Sequence, residues 1–380
     1  MVYIRDDPIP DAHFGLEAAR ERLTLVQQMA NAWTPPPNRP ESETTAMPLD
    51  HLDLSNEVST QMLTESVNDH RAWLSGQVDP RSTIITLGAD ALAETYAIVQ
   101  VVREQPLPLY LHSPEAFELT AWRQIMETAS EKLNQGLGFT VIDRLPMDEF
   151  NDDDMKAVFW IVGQLIGRTV AQKWDGTMLY DVKDKGKAFG YGVRGSYTNV
   201  ELVFHTDNAF GAAPPEYVGL LCKYPAVSGG ISRFCSLYSV HNMMLRDHPA
   251  LLKRLYAPML FDRQAEHAPG RPKTALAPFF AFDGAKLTAR ANVQLVRKGH
   301  DVAGVDMEPE LADALAAVEA VGNRPEFWLE LPIERGQLQY LNNMELGHYR
   351  SHFEDHDDPV KKRHLFRTWH RNAGGRAYDG

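Results

Sequence analysis

The chain has 380 residues, of which 44% are hydrophobic and 23% are charged, and its net charge is −13. This composition is typical of a globular protein with a substantial core, and the negative charge disfavours a phosphate backbone, so we expect no nucleic-acid partner. No apolar run reaches the length of a membrane span and the N-terminus does not resemble a signal peptide, so we expect a cytoplasmic protein without a membrane partner.

The first part of the chain is predicted to be mostly helical. Apolar residues share one helical face in residues 12–33, and residues 50–75 and 88–103 also have helical spacing. The segment TPPPNRPESETTAMP, which follows the first of these helices, predicts a linker or an extended arm. We therefore assign residues 1–115 to a helical N-terminal extension and residues 116–380 to a second domain.

The middle of the chain combines helices with a strand. Residues 116–134 predict a helix, GFTVIDRLP a strand, and DEFNDDDMKAVFWIVGQLIG a helix whose first residues are acidic, as helix N-termini prefer. The glycine-rich stretch from Lys185 to Tyr197 lacks the residue order of a P-loop or a Rossmann turn. It is interpreted either as an active-site loop or as a surface hairpin.

From Val200 onwards, short strand-like runs dominate: VELVFHTD, EYVGLLCKYP, ISRFCSLY, FFAFDG, FWLELPI and GQLQYLNN. One helix, SVHNMMLRDHPALLKRLY, and an alanine-rich helix at 308–321 interrupt them. Many short strands separated by turns predict a sandwich or a barrel, and hence a mainly β fold with flanking helices. The two cysteines, Cys222 and Cys235, are too few for a disulfide framework and are interpreted as buried hydrophobic residues.

The stretch FHTDNAF places His205 and Asp207 inside an apolar and aromatic run. On a strand, residues two apart project from the same face, so these two side chains can converge on one metal ion. Two histidines and one carboxylate on one face leave open coordination positions, as in non-haem Fe(II) oxygenases. By itself His-x-Asp is a weak signal, and a polar interruption at the end of a strand is the commoner explanation of it.

A second histidine and two arginines follow near the C-terminus. His348 ends the strand-like run GQLQYLNNMELGH, and Arg363 and Arg367 occur in KKRHLFRTWHR. Residues four apart share a face of a straight strand, and the guanidinium fork matches a carboxylate, so the pair suggests carboxylate recognition beside a metal. A solvated basic C-terminal segment is the alternative.

In this order, the elements FHTD, SGGIS, NNMELGH and RHLFR resemble the taurine dioxygenase/TfdA family of Fe(II)- and 2-oxoglutarate-dependent oxygenases, from Phe139 to His370. The resemblance implies these site residues: His205, Asp207 and His348 for iron, Arg363 and Ser232 for 2-oxoglutarate, and Arg367 near the substrate. The family motif is Asp-Asn-Arg-x-x-x-His, and this chain has Asn342-Asn343-Met344, three further residues and His348. Two positions, Asn342 and Met344, therefore differ from the motif, and the histidine that binds iron in the family is retained.

The resemblance also implies a fold and a reaction. The fold is a double-stranded β-helix (jelly roll) core, and the cosubstrates are 2-oxoglutarate and O2, with Fe(II) as the metal. The reaction is hydroxylation of an unactivated C–H bond of a small molecule, with release of succinate and CO2. A zinc-dependent hydrolase and a non-enzymatic metal- or 2-oxoglutarate-binding protein on the same fold remain alternatives.

Several further residues are assigned from their position. Arg367 favours an anionic substrate. Glu201 lies four residues before His205, and its parity predicts that it faces the substrate, with a peripheral salt bridge as the alternative. Trp174 and Trp369 are interpreted as core residues. The sequence leaves homo-oligomerisation open.

Overall fold

The computed structural model describes residues 51–55, 61–187 and 193–378. In this part of the chain the α-helices are α1 (Ala89–Glu104), α2 (Thr120–Asn134), α3 (Asp152–Gly163), α4 (Leu237–Asp247), α5 (Pro249–Leu255), α6 (Val293–Ala303) and α7 (Pro309–Gly322). The strands are β1 (His51–Asp53), β2 (Ile84–Thr86), β3 (Phe139–Asp143), β4 (Arg168–Val170), β5 (Leu179–Val182), β6 (Leu202–His205), β7 (Tyr217–Tyr224), β8 (Ser228–Gly229), β9 (Ser232–Ser236), β10 (Met259–Asp262), β11 (Thr274–Ala277), β12 (Phe280–Phe282), β13 (Leu287–Ala289), β14 (Trp328–Leu331), β15 (Leu338–Asn342), β16 (Leu346–Arg350), β17 (Phe353–Glu354) and β18 (His364–Arg371).

Two largely antiparallel sheets form the centre of the fold. The larger sheet has the order β2-β3-β15-β7-β18-β4, with β5 also paired to β18. The smaller sheet has the order β14-β9-β16-β6. Phe139 of β3 stacks on Phe234 of β9 with ring centroids 4.3 Å apart, inside a cluster of buried apolar residues from both sheets. The two sheets therefore pack face to face, and the predicted strand-rich C-terminal half is confirmed as mixed sheets with flanking helices.

Helices cover the outer face of the larger sheet. A second buried cluster joins α1, α2 and α3 to apolar residues of β3, β7, β15 and β18. Helix α3 begins where the side chain of Asn151 accepts the backbone N–H groups of Asp153 and Asp154. The helices predicted over 88–103 and 116–134 are confirmed by α1 and α2. On the other side, α4, α5, α6 and α7 pack with β10 and β11 around a third cluster.

The helix predicted over 50–75 is wrong for the residues described. Residues 51–53 form β1, which pairs in parallel with β11, and residues 61–74 contain turns and extended segments without a helix. The side chain of Asn242 accepts the backbone N–H of Val67 and donates to its carbonyl oxygen. A distant side chain therefore takes the place of helical backbone hydrogen bonds at this residue. The helix predicted over 12–33 lies outside the described residues, and a mostly helical N-terminal extension is not supported. The boundary after residue 115 stays a prediction.

The single helix predicted between Ser239 and Tyr256 is divided in two. Helix α4 ends at Asp247 and α5 begins at Pro249, with His248 between them at φ −139° and ψ 52°. A proline disfavours the helical conformation of the residue before it, and it has no N–H for a helical hydrogen bond. Pro249 in the sequence was therefore already a signal that the helix is divided at this point.

Two further expectations concern the cysteines and membranes. Cys222 and Cys235 are free and buried, as predicted. In the described ranges, every helix is too short or too polar to cross a bilayer.

The stack between the two sheets predicts a stability effect. Phe139→Ala removes a fully buried ring, so the free energy of unfolding should fall by about 3–5 kcal/mol. Tyr110→Ala is the matched control, because that ring is 62% exposed and its loss should change the free energy by less than about 0.5 kcal/mol. Urea unfolding measures both. Equal losses in the two variants would contradict a structural role for the stack.

Candidate metal centre

Two histidines face each other across neighbouring strands of the smaller sheet. His205 is the last residue of β6, and His348 is the central residue of β16. The antiparallel register sets His348 directly opposite His205, and the two ring centroids are 4.2 Å apart. Directly opposed residues of a strand pair point to the same face of the sheet, so both imidazoles reach the same space.

Asp207 joins this pair from the turn that follows β6. Its Oδ1 lies 3.7 Å from Nε2 of His205 and 3.7 Å from Nε2 of His348. One potential ligand atom from each of the three residues lies within 4.8 Å of the others. Two imidazoles and one carboxylate suit a divalent first-row metal ion, and their position on one side leaves other coordination positions open. We call these three residues the His-Asp-His group.

Two members of the group have the protonation that metal binding requires. Nδ1 of His205 donates to the carbonyl oxygen of Val203 at 2.8 Å, which leaves Nε2 as the atom available to a metal. Burial, reinforced by His348, lowers the pKa of His205 to about 3. Burial alone would raise the pKa of Asp207, but Arg367 and the two histidines outweigh it and hold this pKa well below its ordinary value. At neutral pH the imidazole is neutral and the carboxylate is ionised.

Hydrogen bonds hold both the backbone and the side chain of Asp207. Oδ1 of Asn343 accepts the backbone N–H of Asp207 at 2.7 Å, and Nδ2 of Asn343 donates to the Asp207 carbonyl at 3.0 Å. Oδ2 of Asp207 accepts from Nη1 of Arg367 at 2.9 Å and from Nε1 of Trp369 at 2.8 Å. The other oxygen, Oδ1, therefore faces the two histidines.

Two cavities meet at the His-Asp-His group. The first, which we call the arginine cavity, is lined by the whole group and by Ser232, Gln339, Arg350 and Arg363. The second, which we call the lysine cavity, is lined by His205 and Asp207 together with Gln264, Asn292, Gln294 and Lys298. The residues common to both linings are Ser196, Leu202, His205, Asp207 and Arg367. A metal held by the group would lie where the two cavities meet.

Arg363 brings a buried positive charge into the arginine cavity. Only 4% of the residue is exposed, and its Nη1 makes no hydrogen bond within the described part of the chain. Gly230 permits this position, since a Cβ there would lie 2.8 Å from Nε of Arg363. Burial lowers the pKa of Arg363 to about 10 and that of the neighbouring Arg350 to about 9, so both stay charged at neutral pH. A buried charge with an unsatisfied donor is costly, which indicates an anionic ligand.

Two neutral polar groups share the wall of the arginine cavity. The hydroxyl of Ser232 lies 3.5 Å from Oε1 of Gln339, at the long limit of a hydrogen bond. Nε2 of Gln339 is buried and makes no hydrogen bond to the residues described. The hydroxyl and the amide can therefore bind oxygen atoms of the ligand that Arg363 attracts.

The lysine cavity is lined by basic and amide side chains. Arg194, Lys298 and Arg367 line it, against one carboxylate, Asp207. Arg194 is paired with Glu266, whose Oε1 lies 2.6 Å from its Nε. Arg367 is likewise paired with Asp207, so two of the three cations are balanced by carboxylates. With the amides of Gln264, Asn292 and Gln294, the wall suits a small polar molecule.

Six of the seven residues predicted for the site line these cavities: His205, Asp207, His348, Ser232, Arg363 and Arg367. Glu201 is not among the residues that line either cavity, and its carboxylate accepts a hydrogen bond from the hydroxyl of Tyr349. Arg367 contacts Asp207 directly. The roles assigned to these residues from the sequence stay predictions.

Several residues that line or support the site were not predicted from the sequence. Arg350 lies two residues after His348 on the same strand, so parity alone could have placed it beside the metal centre. Trp369 is buried as expected, but its indole also bonds Asp207, whereas Trp174 is 56% exposed and its interpretation as a core residue is wrong. Asn343 matches the middle residue of the family motif, but its contact with Asp207 was not predicted, because that contact joins residues 136 positions apart.

Comparisons with known proteins give a family and a fold. The family model described as "Taurine catabolism dioxygenase TauD, TfdA family" matches residues 104–369. FR-33289 synthase of Streptomyces rubellomurinus is 26% identical over 325 residues, covering 84% of this chain and 94% of that protein. Taurine hydroxylase-like protein SAT17 of Stachybotrys chartarum is 25% identical over 353 residues, covering 86% and 87%. The fold is similar to asparagine oxygenase in complex with Fe(II), 2S,3S-3-hydroxyasparagine and succinate, with a TM-score of 0.59, 18% identity, and coverage of 76% and 93%.

The contacts of Asn343 predict an effect on metal binding. Asn343→Leu removes both hydrogen bonds to the Asp207 backbone and leaves buried groups unpaired, each at a cost of about 1–3 kcal/mol. We expect a lower free energy of unfolding and a dissociation constant for Mn(II) at least about tenfold higher. Isothermal titration and urea unfolding measure the two effects. Asn68→Leu is the control, because that amide is exposed and lies outside both cavity linings. Wild-type Mn(II) affinity in Asn343→Leu would show that Asp207 is held by other contacts.

Proposed function

The chain belongs to the taurine catabolism dioxygenase TauD/TfdA family, and we propose that His205, Asp207 and His348 hold its Fe(II). As a member, it is a 2-oxoglutarate-dependent non-haem iron dioxygenase that hydroxylates a small molecule with O2. The observation that carries the residue assignment is the convergence of Oδ1 of Asp207 with Nε2 of both histidines, each 3.7 Å away. The donor set fits iron, since a neutral imidazole and an ionised carboxylate need lose no proton on binding.

When bound, the iron supplies the oxidation of 2-oxoglutarate to succinate and CO2, which is coupled to hydroxylation of a C–H bond. The side chains hold and orient the reactants. His205 is kept in one tautomer by Val203, and Asp207 is kept ionised by Arg367. Both residues are buried or half-buried, so bulk water has little access to the side of the metal that they cover.

The arginine cavity is the proposed site of 2-oxoglutarate. Arg363 would bind the carboxylate remote from the iron, because its buried Nη1 still has a donor to offer and a guanidinium binds a carboxylate through two bonds. Ser232 would donate its hydroxyl to the same group from the adjacent wall. Arg350 adds a second positive charge nearby, which favours the dianion further.

The lysine cavity is the proposed site of the primary substrate. It borders the same metal position from the other side, and its wall carries Lys298 and the amides of Gln264, Asn292 and Gln294. We propose a small polar substrate, and an anionic one, such as a carboxylate or sulfonate, would meet Lys298 on this wall. The asparagine oxygenase of similar fold is named with a hydroxylated amino acid, which supports a small substrate.

The fold that we propose is a double-stranded β-helix with flanking helices. The face-to-face packing of the larger and smaller sheets supports it, as does the position of the His-Asp-His group on the inner side of the smaller one. The free, buried state of Cys222 and Cys235 supports a cytoplasmic location, which stays a proposal.

Loss of one metal ligand should abolish activity. In His205→Ala, Asp207→Ala or His348→Ala, the remaining donors cannot hold Fe(II) in place, so we expect neither Fe(II) binding nor 2-oxoglutarate-dependent succinate formation. The enzyme is loaded anaerobically with Fe(II), 2-oxoglutarate and a panel of small carboxylates, sulfonates, phosphonates and amines. Oxygen is then added, and succinate and hydroxylated product are quantified.

His352→Ala is the control, because His352 is exposed and outside the group. Normal succinate formation in His348→Ala, or hydrolysis of a panel compound without succinate, would contradict the assignment. The second outcome would favour a zinc-dependent hydrolase.

Arg363 should determine the affinity for 2-oxoglutarate. Arg363→Lys keeps a positive charge and loses the two-bond geometry, and loss of a charged hydrogen bond costs about 1.5–3 kcal/mol. We expect the 2-oxoglutarate dissociation constant to rise at least about tenfold, and Ser232→Ala to have a smaller effect in the same direction. The absorption band of the anaerobic Fe(II)–2-oxoglutarate complex measures both. If both variants bind 2-oxoglutarate with wild-type affinity, other residues bind its carboxylate.

A further inference from the structure

The two oxygens of Asp207 have different surroundings. Oδ2 accepts two hydrogen bonds, from Nη1 of Arg367 at 2.9 Å and from Nε1 of Trp369 at 2.8 Å. Oδ1 lies 3.7 Å from Nε2 of each histidine of the group. Arg367 and Trp369 are two residues apart on β18, so they reach the carboxylate from one face of the larger sheet.

Arg367 is itself held from several sides. Its Nε donates to Oε1 of Gln172 at 2.8 Å. Gln172 is fully buried, and its amide donates to the carbonyl oxygens of Met178 at 2.8 Å and of Arg367 at 2.7 Å. The guanidinium carbon lies 5.0 Å from the ring centroids of both Tyr180 and Trp369. Turning this guanidinium toward a substrate would break the bonds to Gln172 and Asp207 together.

We propose that Arg367 and Trp369 are positioning residues that occupy Oδ2 of Asp207, so that this carboxylate meets the metal through Oδ1 alone. This inference rests on the proposed iron site. A carboxylate that bound through both oxygens would take one more coordination position than the His-Asp-His group needs. By holding Oδ2, the pair keeps that position for the cosubstrates. The role differs from the substrate contact that the sequence suggested for Arg367.

Trp369→Phe is the cleanest test, because it removes one donor to Oδ2 and keeps the ring and the net charge. We expect its Fe(II) dissociation constant to rise about tenfold. With iron saturating, the absorption maximum of the Fe(II)–2-oxoglutarate complex should shift, since the ligand geometry of Asp207 changes. The 2-oxoglutarate dissociation constant should stay within about threefold, because Arg363 is untouched. Trp328→Phe is the matched control, since that indole donates to Asn323 outside the site.

Arg367→Lys is the second variant. A neutral replacement would also relieve the repulsion between the guanidinium and Fe(II), and the two effects on the dissociation constant would oppose each other. Lysine keeps the charge but cannot bond Gln172 and Asp207 in one plane. We expect a weaker Fe(II) complex and a shifted band in this variant as well.

The outcomes separate this inference from the proposed function. Wild-type protein that binds no Fe(II) would overturn both. Wild-type protein that binds Fe(II), with Trp369→Phe and Arg367→Lys matching it in affinity and in band position, would overturn only the positioning role. A purely structural role would lower the melting temperature of the variants without moving the band, and this result would also overturn the inference.

Discussion

One carboxylate joins the two sheets that carry the site. His205 and His348 belong to the smaller sheet, whereas the groups that hold Asp207 come from the larger one. Asn343 directly follows β15, and Arg367 and Trp369 lie on β18. A shift of one sheet against the other would therefore separate the carboxylate from the imidazoles. The packing between the sheets, with its stacked rings 4.3 Å apart, thus holds the His-Asp-His group together as well as the core.

Buried charge is distributed unevenly around this carboxylate. Arg367 and Asp207 neutralise each other, and hydrogen bonds surround both, which is the condition under which a buried ion pair can be tolerated. Among the residues that the structure describes, Nη1 of Arg363 and Nε of Arg350 are buried donors without a partner. These unsatisfied groups lower the stability of the protein alone, and a dianionic ligand would satisfy them. This arrangement supports the proposal that the arginine cavity binds an anion.

The sequence predicted the parts of the site that lie in short motifs. His205 and Asp207 are two residues apart, and Arg363 and Arg367 four apart, so they could be matched to the ordered motifs of the family that the sequence resembles. The sequence did not show that Asn343 and Trp369 contact Asp207, or that Gln172 contacts Arg367. These contacts depend on the register of strands that are far apart in the chain. The fold shows the same limit. Residues 89–104 form the helix that was predicted over 88–103, whereas residues 51–53 pair with β11, more than two hundred positions away.

The two arginines of RHLFR show why spacing alone cannot assign a role. They lie four residues apart, and both line the arginine cavity. Arg367 meets a carboxylate of the protein and a glutamine that fixes its direction, so its charge is already balanced inside the wall. Arg363 passes over Gly230, where no side chain can intervene, and keeps a donor turned into the cavity. Two residues with the same charge, in one motif, thus have different surroundings: Arg367 is paired with the protein, and Arg363 is the one that we propose for the ligand. The difference arises from what the opposing strands present to each, and hence from the fold.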